Sequence, residues 1–433
     1  MTRYVVVGTG SRSEMYIDAI SKEYRSEASL VGLCDRNLGR ARLYQRRVLE
    51  AGGADIPVYA ADDFDRMLSE QAPDRVIVTT GPDRTHADYI TRAMRAGCDV
   101  VTEKPMTTTP ELAREILRAR DETGRALQVT FNYRYSPVRS QVRGIIADGE
   151  IGEPLGVDFG WFLDTRHGAD YFRRWHRRRE NSGSLLVHKS THHFDLVNWW
   201  IDDIPEDVFA HGSLRYYTPE RAKAIGLADH GDRCAGCPAS ARCPFFLDMA
   251  ATEGLKELYL DQEEHDGYYR DRCVFSDEID IWDTMSVSVR YRRGALLSYM
   301  LHAYAPVEGY RIAFNGTKGR LEHYANETTY INGDGTTPGE LEPGKVGITL
   351  IPEFERPRVV EPATSAGGHG GGDPALLRDV LAWDGSDPLR RRANQVDGTY
   401  SILIGVAASM SIDRREPVRI ADLLGDAPLG ERW

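Results

Sequence analysis

The stretch "RYVVVGTGSR", Arg3 to Arg12, constrains this chain more than any other. A β-branched run breaks at Gly8 and Gly10, and a helical apolar pattern follows from about Ser13 to Tyr24. Strand, glycine turn and helix in that order are the context a dinucleotide fingerprint requires. Gly8 allows the tight turn. Gly10, with Ser11 and Arg12 after it, brings the helix N-terminus up to a pyrophosphate, whose charge the free N–H groups and the helix dipole stabilise. Ser13 stands where the third glycine of the motif is usual, so the turn alone does not separate a cofactor loop from an ordinary strand–helix connection.

The next segments of the chain strengthen the cofactor reading. "SLVGLCDRN" reads as a second buried strand ending at Asp35, where an acidic residue accepts the adenosine ribose hydroxyls. An Asp there repels a 2′-phosphate and favours NAD over NADP, while Arg36 beside it leaves some room for NADP. Helix and strand patterns keep alternating through "RVIVTT", "DVVTEKP" and a helix closed by Gly124. Such repetition predicts an α/β fold with a doubly wound parallel sheet over residues 1–130. Its ligand belongs beyond the strand ends "GTGSR", "CDRN", "TTGPDRTH" and "TEKP", which adds Thr80 and Gly81 to the expected cofactor contacts.

At 433 residues the chain has room for a second domain over 131–433. Its 54 Lys and Arg against 66 Asp and Glu give a formal charge of -12. That balance argues against nucleic acid or a membrane surface as the main partner and leaves a small molecule. No apolar run is long enough to span a bilayer, and the N-terminus turns to glycine too soon for a secretory signal, so a cytoplasmic protein is expected.

"SGSLLVHKSTHHFDLVNWW", Ser182 to Trp200, reads as a buried helix from Ser184. His188, His192 and Asp195 fall at i, i+4 and i+7 and are expected on one face. H-x-x-x-H resembles a zincin, but Lys189 stands where the general-base Glu would be, and a cation beside a divalent ion is unfavourable. Either histidine alone could be a satisfied core residue. Two His, one Lys and one Asp among such apolar neighbours point instead to a ligand.

Together these segments resemble the Gfo/Idh/MocA oxidoreductase family. The family's Glu-Lys-Pro is matched by Glu103, Lys104 and Pro105, with a cis or strained bond expected before Pro105. "TTGPDRTH" resembles its loop through Pro82, Asp83 and His86, and "FNYRYSPVRSQVRGII" its crossing into the second domain. His192 and Asp195 match the family's His and second Asp; His188 departs from its first Asp, and Ser190 from its Gly. The resemblance implies an NAD(P)-dependent oxidoreductase acting on a sugar, glycoside or cyclitol, its second domain an α/β unit with an open, mainly antiparallel sheet that assembles into a dimer or tetramer. It makes Lys104 and His192 catalytic, with Glu103 and Asn132 at the cofactor. Tyr133, Arg134, His188, Lys189 and Asp195 are then expected at the substrate, and His369 from the loop "SAGGHGGGDP". Two other functions stay open: a glycosidase using NAD for transient oxidation and elimination, and a non-catalytic NAD-binding protein.

An insertion near 229–273 carries C-x2-C-x5-C, Cys234, Cys237 and Cys243, and then Cys273. A structural four-thiolate zinc site is its functional reading; an iron–sulfur cluster and unligated thiols are the alternatives. Cys34 and Cys98 sit singly in apolar segments, as buried thiols do.

Overall fold

The computed structural model describes residues 1–329, 346–363 and 368–431. Two sheets organise them. The first runs Ala393–Asn394, Leu127–Val129, Asp99–Thr102, Arg75–Val78, Thr2–Val7, Ala28–Asp35, Val58–Ala60. Its pairings are parallel except at Ala393–Asn394, which is antiparallel to Leu127–Val129. Val5, Val6, Val7, Val76, Ile77 and Val78 are buried, as strands covered by helices on both faces must be. Capping fixes the helix ends. Thr109 accepts a hydrogen bond from Leu112 N–H ahead of Pro110, and Gly124 closes Pro110–Thr123 in the left-handed region at φ 65°.

The second sheet has nine strands, in the order Arg358–Val360, Val346–Pro352, Gly319–Thr329, Val307–Gly316, Pro154–Asp164, Leu296–Ala305, Thr284–Tyr291, Pro205–Ser213, Val418–Arg419. All its pairings are antiparallel except Leu296–Ala305 with Pro154–Asp164. In Thr284–Tyr291 burial alternates, with Met285, Val287, Val289 and Tyr291 inward and Ser286, Ser288 and Arg290 outward. That is the period of a sheet with one covered face. The helices Ser190–Trp200 and Gln395–Arg414 share its apolar core.

The sequence division at residue 130 is crossed by a later segment. Helix Gly368–Leu381 places Leu376, Val380 and Leu381 in the apolar cluster of Tyr4, Val6, Tyr16 and Ile17. Tyr4 Oη donates to the Val380 carbonyl at 3.0 Å. No helix among the described residues is long and apolar enough to cross a membrane.

Candidate active site

One cleft of about 540 Å³ lies at the carboxyl ends of the parallel strands and extends to the second domain. Gly8, Gly10, Ser11, Arg12, Asp35, Arg36, Thr80, Gly81, Pro82, His86, Glu103, Lys104 and Asn132 all line it. The glycine turn is as close-fitted as a cofactor loop needs. Gly8 has φ +89°, and a Cβ there would lie 2.5 Å from the Thr80 backbone. The Asp35 carboxylate accepts from Thr9 N–H at 2.5 Å, Thr9 Oγ1 at 2.9 Å and Asn37 N–H at 2.7 Å, which fixes it at the end of its strand.

Glu103 is buried, receiving Arg12 Nε at 2.7 Å and Tyr16 Oη at 2.8 Å. Burial alone would raise its pKa, but Arg12 and Lys104 outweigh it and hold the carboxyl below the usual range. His86 is a brace within this wall, its two ring nitrogens each 2.8 Å from a carbonyl oxygen, of Pro105 and of Thr80. Both Gly81–Pro82 and Lys104–Pro105 are cis.

The wall of the cleft opposite the glycine turn is built on a helix that breaks. The segment expected as one helix is two, Leu185–His188 and Ser190–Trp200, meeting at Lys189. His188, Lys189 and His192 all line the cleft with Lys104. Burial lowers the Lys104 pKa to about 8 against the opposing pull of Asp83 and Glu103, and its Nζ donates to the His188 carbonyl at 3.3 Å. His188 Nδ1 is 2.5 Å from Asp83 Oδ2. Burial pushes the Asp83 carboxyl up and the His188 imidazole down, so each leans toward its neutral form. Lys189 is buried, donates to Tyr133 Oη at 3.1 Å and sits 5.2 Å above the Trp161 ring. The His192 ring stacks on Tyr133 with centroids 4.1 Å apart.

Three expected substrate contacts are corrected. Tyr133 does not line the cleft; it lies one layer back, between His192 and Trp161. Arg134 and Asp195 form a buried bidentate pair at 2.8 and 2.6 Å, and Asp397 adds a second carboxylate 3.0 Å from the same guanidinium. The i+7 position turns away from the cleft toward Gln395–Arg414 because Arg134 anchors it there. Side chains this fully buried cannot reach a ligand. The His369 side chain lies outside the described residues.

The structural zinc reading finds no support here, although Cys234, Cys237, Cys243 and Cys273 lie near one another. Among the described residues, no group of three or more His, Cys, Asp or Glu is placed to hold a metal ion. All six cysteines are free. The sulfurs of Cys234, Cys237 and Cys273 accept backbone N–H groups of Leu247, Gly231 and Phe275 at 3.3 to 3.4 Å. The insertion buries Ala239 and Phe245, and just after it Val274 and Phe275, in the core of the second domain.

Several lining residues carried no separate sequence signal. Tyr171 comes from the helix Thr165–Arg173 after Pro154–Asp164 and Arg174, Trp175 and His176 from the short helical turn after it, and the insertion contributes Tyr259, Asp266 and Tyr268. The run "YFRRWHRRRE" was the available hint, since so many cations and rings in ten residues need partners.

Two models cover most of the chain: the oxidoreductase family's NAD-binding Rossmann fold at residues 2–131 and its C-terminal alpha/beta domain at 143–420. YteT of Bacillus subtilis (strain 168), described as an oxidoreductase, is 37% identical over 438 residues, 98% of this chain and 99% of its own length. Inositol 2-dehydrogenase of Rubrobacter xylanophilus is 29% identical over 213 residues, 48% of this chain and 54% of that one. The aldose-aldose oxidoreductase structure from Caulobacter crescentus superposes with a TM-score of 0.63 at 17% identity, covering 96% of this chain and 99% of its own. The matched models and the near full-length relative place this chain in the Gfo/Idh/MocA oxidoreductase family.

Proposed function

We propose that the protein is an NAD-dependent oxidoreductase acting on a secondary hydroxyl of a sugar, glycoside or cyclitol. The observation that carries this reading is the convergence of Lys104, His188, Lys189 and His192 with the glycine turn and Asp35 in one cleft. The glycine turn and Asp35 suit the pyrophosphate and ribose of the cofactor. Bound NAD supplies a hydride acceptor, or NADH a donor. Lys104, with its lowered pKa, takes the hydroxyl proton near neutral pH. His192 is the second acid or base at the reacting oxygen. Lys189 and the Asp83–His188 unit pair with neighbouring hydroxyls, the way a site recognises a substrate dense in them. The inositol 2-dehydrogenase and aldose-aldose oxidoreductase relatives support this substrate class. Leu296, Met300 and Tyr324, exposed on the outer sheet, support a homo-oligomer.

Redox-assisted glycoside cleavage has one specific observation in its favour. Hydride transfer from one hydroxyl needs one proton acceptor, and the hydrogen-bonded Asp83–His188 pair supplies further acid–base groups in the same cleft. Incubating the holoenzyme with a panel of sugars, cyclitols and glycosides separates the readings. NADH accumulation supports the dehydrogenase; aglycone release without net NADH supports the other. NAD binding with neither outcome across the panel refutes both and leaves a non-catalytic role.

Asp83→Asn is expected to lower kcat by roughly ten- to a hundredfold, with the Kd for NAD changed little, because the amide keeps the contact but cannot take up a proton. Unchanged steady-state kinetics would remove Asp83 and His188 from the proton path.

A further inference from the structure

The insertion does more than fill space beside the second domain. Its segment Glu253–Leu258, Leu260–Gln262 and Glu263–Asp266 lies across the adenosine end of the cofactor cleft as a strap. Glu257 pairs with Arg47 at 3.0 Å, Tyr259 Oη accepts Ser11 N–H at 3.0 Å, and the Gln262 carbonyl accepts Asn37 Nδ2 at 2.9 Å. Gly39 leaves the space for it. A Cβ there would lie 1.9 Å from Gln262 Oε1 and 2.4 Å from the His265 ring.

Without the strap, the end of strand Ala28–Asp35 would present one carboxylate, Asp35, and two guanidinium groups, Arg36 and Arg40. Arginine at this position is the group that accommodates a 2′-phosphate. Asp266 changes that balance. Its Oδ2 is 2.6 Å from Arg40 Nη2 and 3.5 Å from Arg36 Nε, and its side chain is buried by the strap. Burial alone would raise its pKa, but Arg40 holds it below the usual range, so it is charged. Two carboxylates and two guanidiniums then cancel.

We infer that Asp266, carried from the second domain's insertion, is a specificity-determining residue for the cofactor: it engages Arg36 and Arg40, denies a 2′-phosphate its cations, and makes the site selective for NAD. The neutral 2′-hydroxyl of NAD loses nothing by this pairing, whereas the phosphate of NADP meets Asp35 and Asp266 with Arg40 already paired and Arg36 drawn toward Asp266. The inference rests on the cleft being the dinucleotide site.

Calorimetric titration of the full chain with NAD and with NADP tests it without any substrate. The wild type is expected to bind NAD at least about tenfold more tightly than NADP, and Asp266→Asn to shrink that ratio by about tenfold, the scale of one partly buried ion pair. Asp266→Ala gives the same readout if the Asn variant does not fold. A wild type that binds NADP as tightly as NAD overturns the inference, as does a ratio unmoved in the variant. Binding of neither dinucleotide overturns the cofactor reading of the cleft itself.

Discussion

Lys104→Met is expected to lower kcat by roughly a thousandfold while leaving the protein folded and able to bind NAD, since a positioned proton acceptor contributes between about a hundredfold and ten thousandfold. Nζ sits in the cleft wall beside the His188 carbonyl, and methionine fills the same volume without the amine. The pH profile carries the sign. Burial depresses the lysine to about 8, so the neutral amine that can accept a proton gains ground as pH rises through that value. Oxidation by the wild type should therefore rise toward about pH 8 and level off above it, and this limb should vanish in the variant. A methionine variant with near wild-type turnover would remove Lys104 from the chemistry. His192→Ala should also slow turnover, and comparing the two profiles shows which group sets the pKa.

The largest effect on stability is expected from Arg134→Met. Its guanidinium is fully buried between Asp195 and Asp397, which are themselves 1% and 0% exposed at the side chain. Removing it leaves two buried carboxylates without this cation, at a cost of about 3–5 kcal/mol. Urea denaturation should show the loss directly. Asp195→Asn should cost less, because Arg134 keeps Asp397. The same variants also check the corrected role of the pair. If Arg134 and Asp195 only join the helices Ser190–Trp200 and Gln395–Arg414, the KM for any turned-over sugar should stay within about threefold in whatever protein remains folded. A KM rise with little change in stability would restore them to the substrate.

The contrast between Lys104 and Asp195 shows what the sequence could disclose. The parallel sheet was legible because its signals are local: apolar strands, glycine turns and capped helices repeat within a few tens of residues. Lys104 reaches the cleft because it follows a strand end, whereas His188 and His192 reach it from two short helices that meet at Lys189, which a helical spacing of four does not describe. Asp195 was misplaced because a spacing of seven says which face a residue shares, not what stands opposite it. Arg134 and Asp397 come from 61 residues before and 202 residues after it, and no local pattern pairs them. The strap was hidden for the same reason. Tyr259 meets Ser11 across 248 positions, and Asp266 meets Arg40 across 226. The cysteine spacing marks thiols that come together in the fold, and spacing alone does not report what ion, if any, they hold.

The two-residue strand Ala393–Asn394 has a bearing on how the chain is made and reused. It is the element that pairs with the outer edge of Leu127–Val129, and so short a strand offers a passing chain little template of its own. During synthesis that edge stays open until some 260 further residues have emerged, along with the apolar surface that Leu376 and Val380 later cover. A fragment ending near residue 131, expressed alone or grafted onto another substrate domain, would therefore carry an unpaired ladder and a bare patch, and would be prone to self-association. In this chain the Rossmann segment is not a detachable cassette: the polypeptide that follows it also completes it.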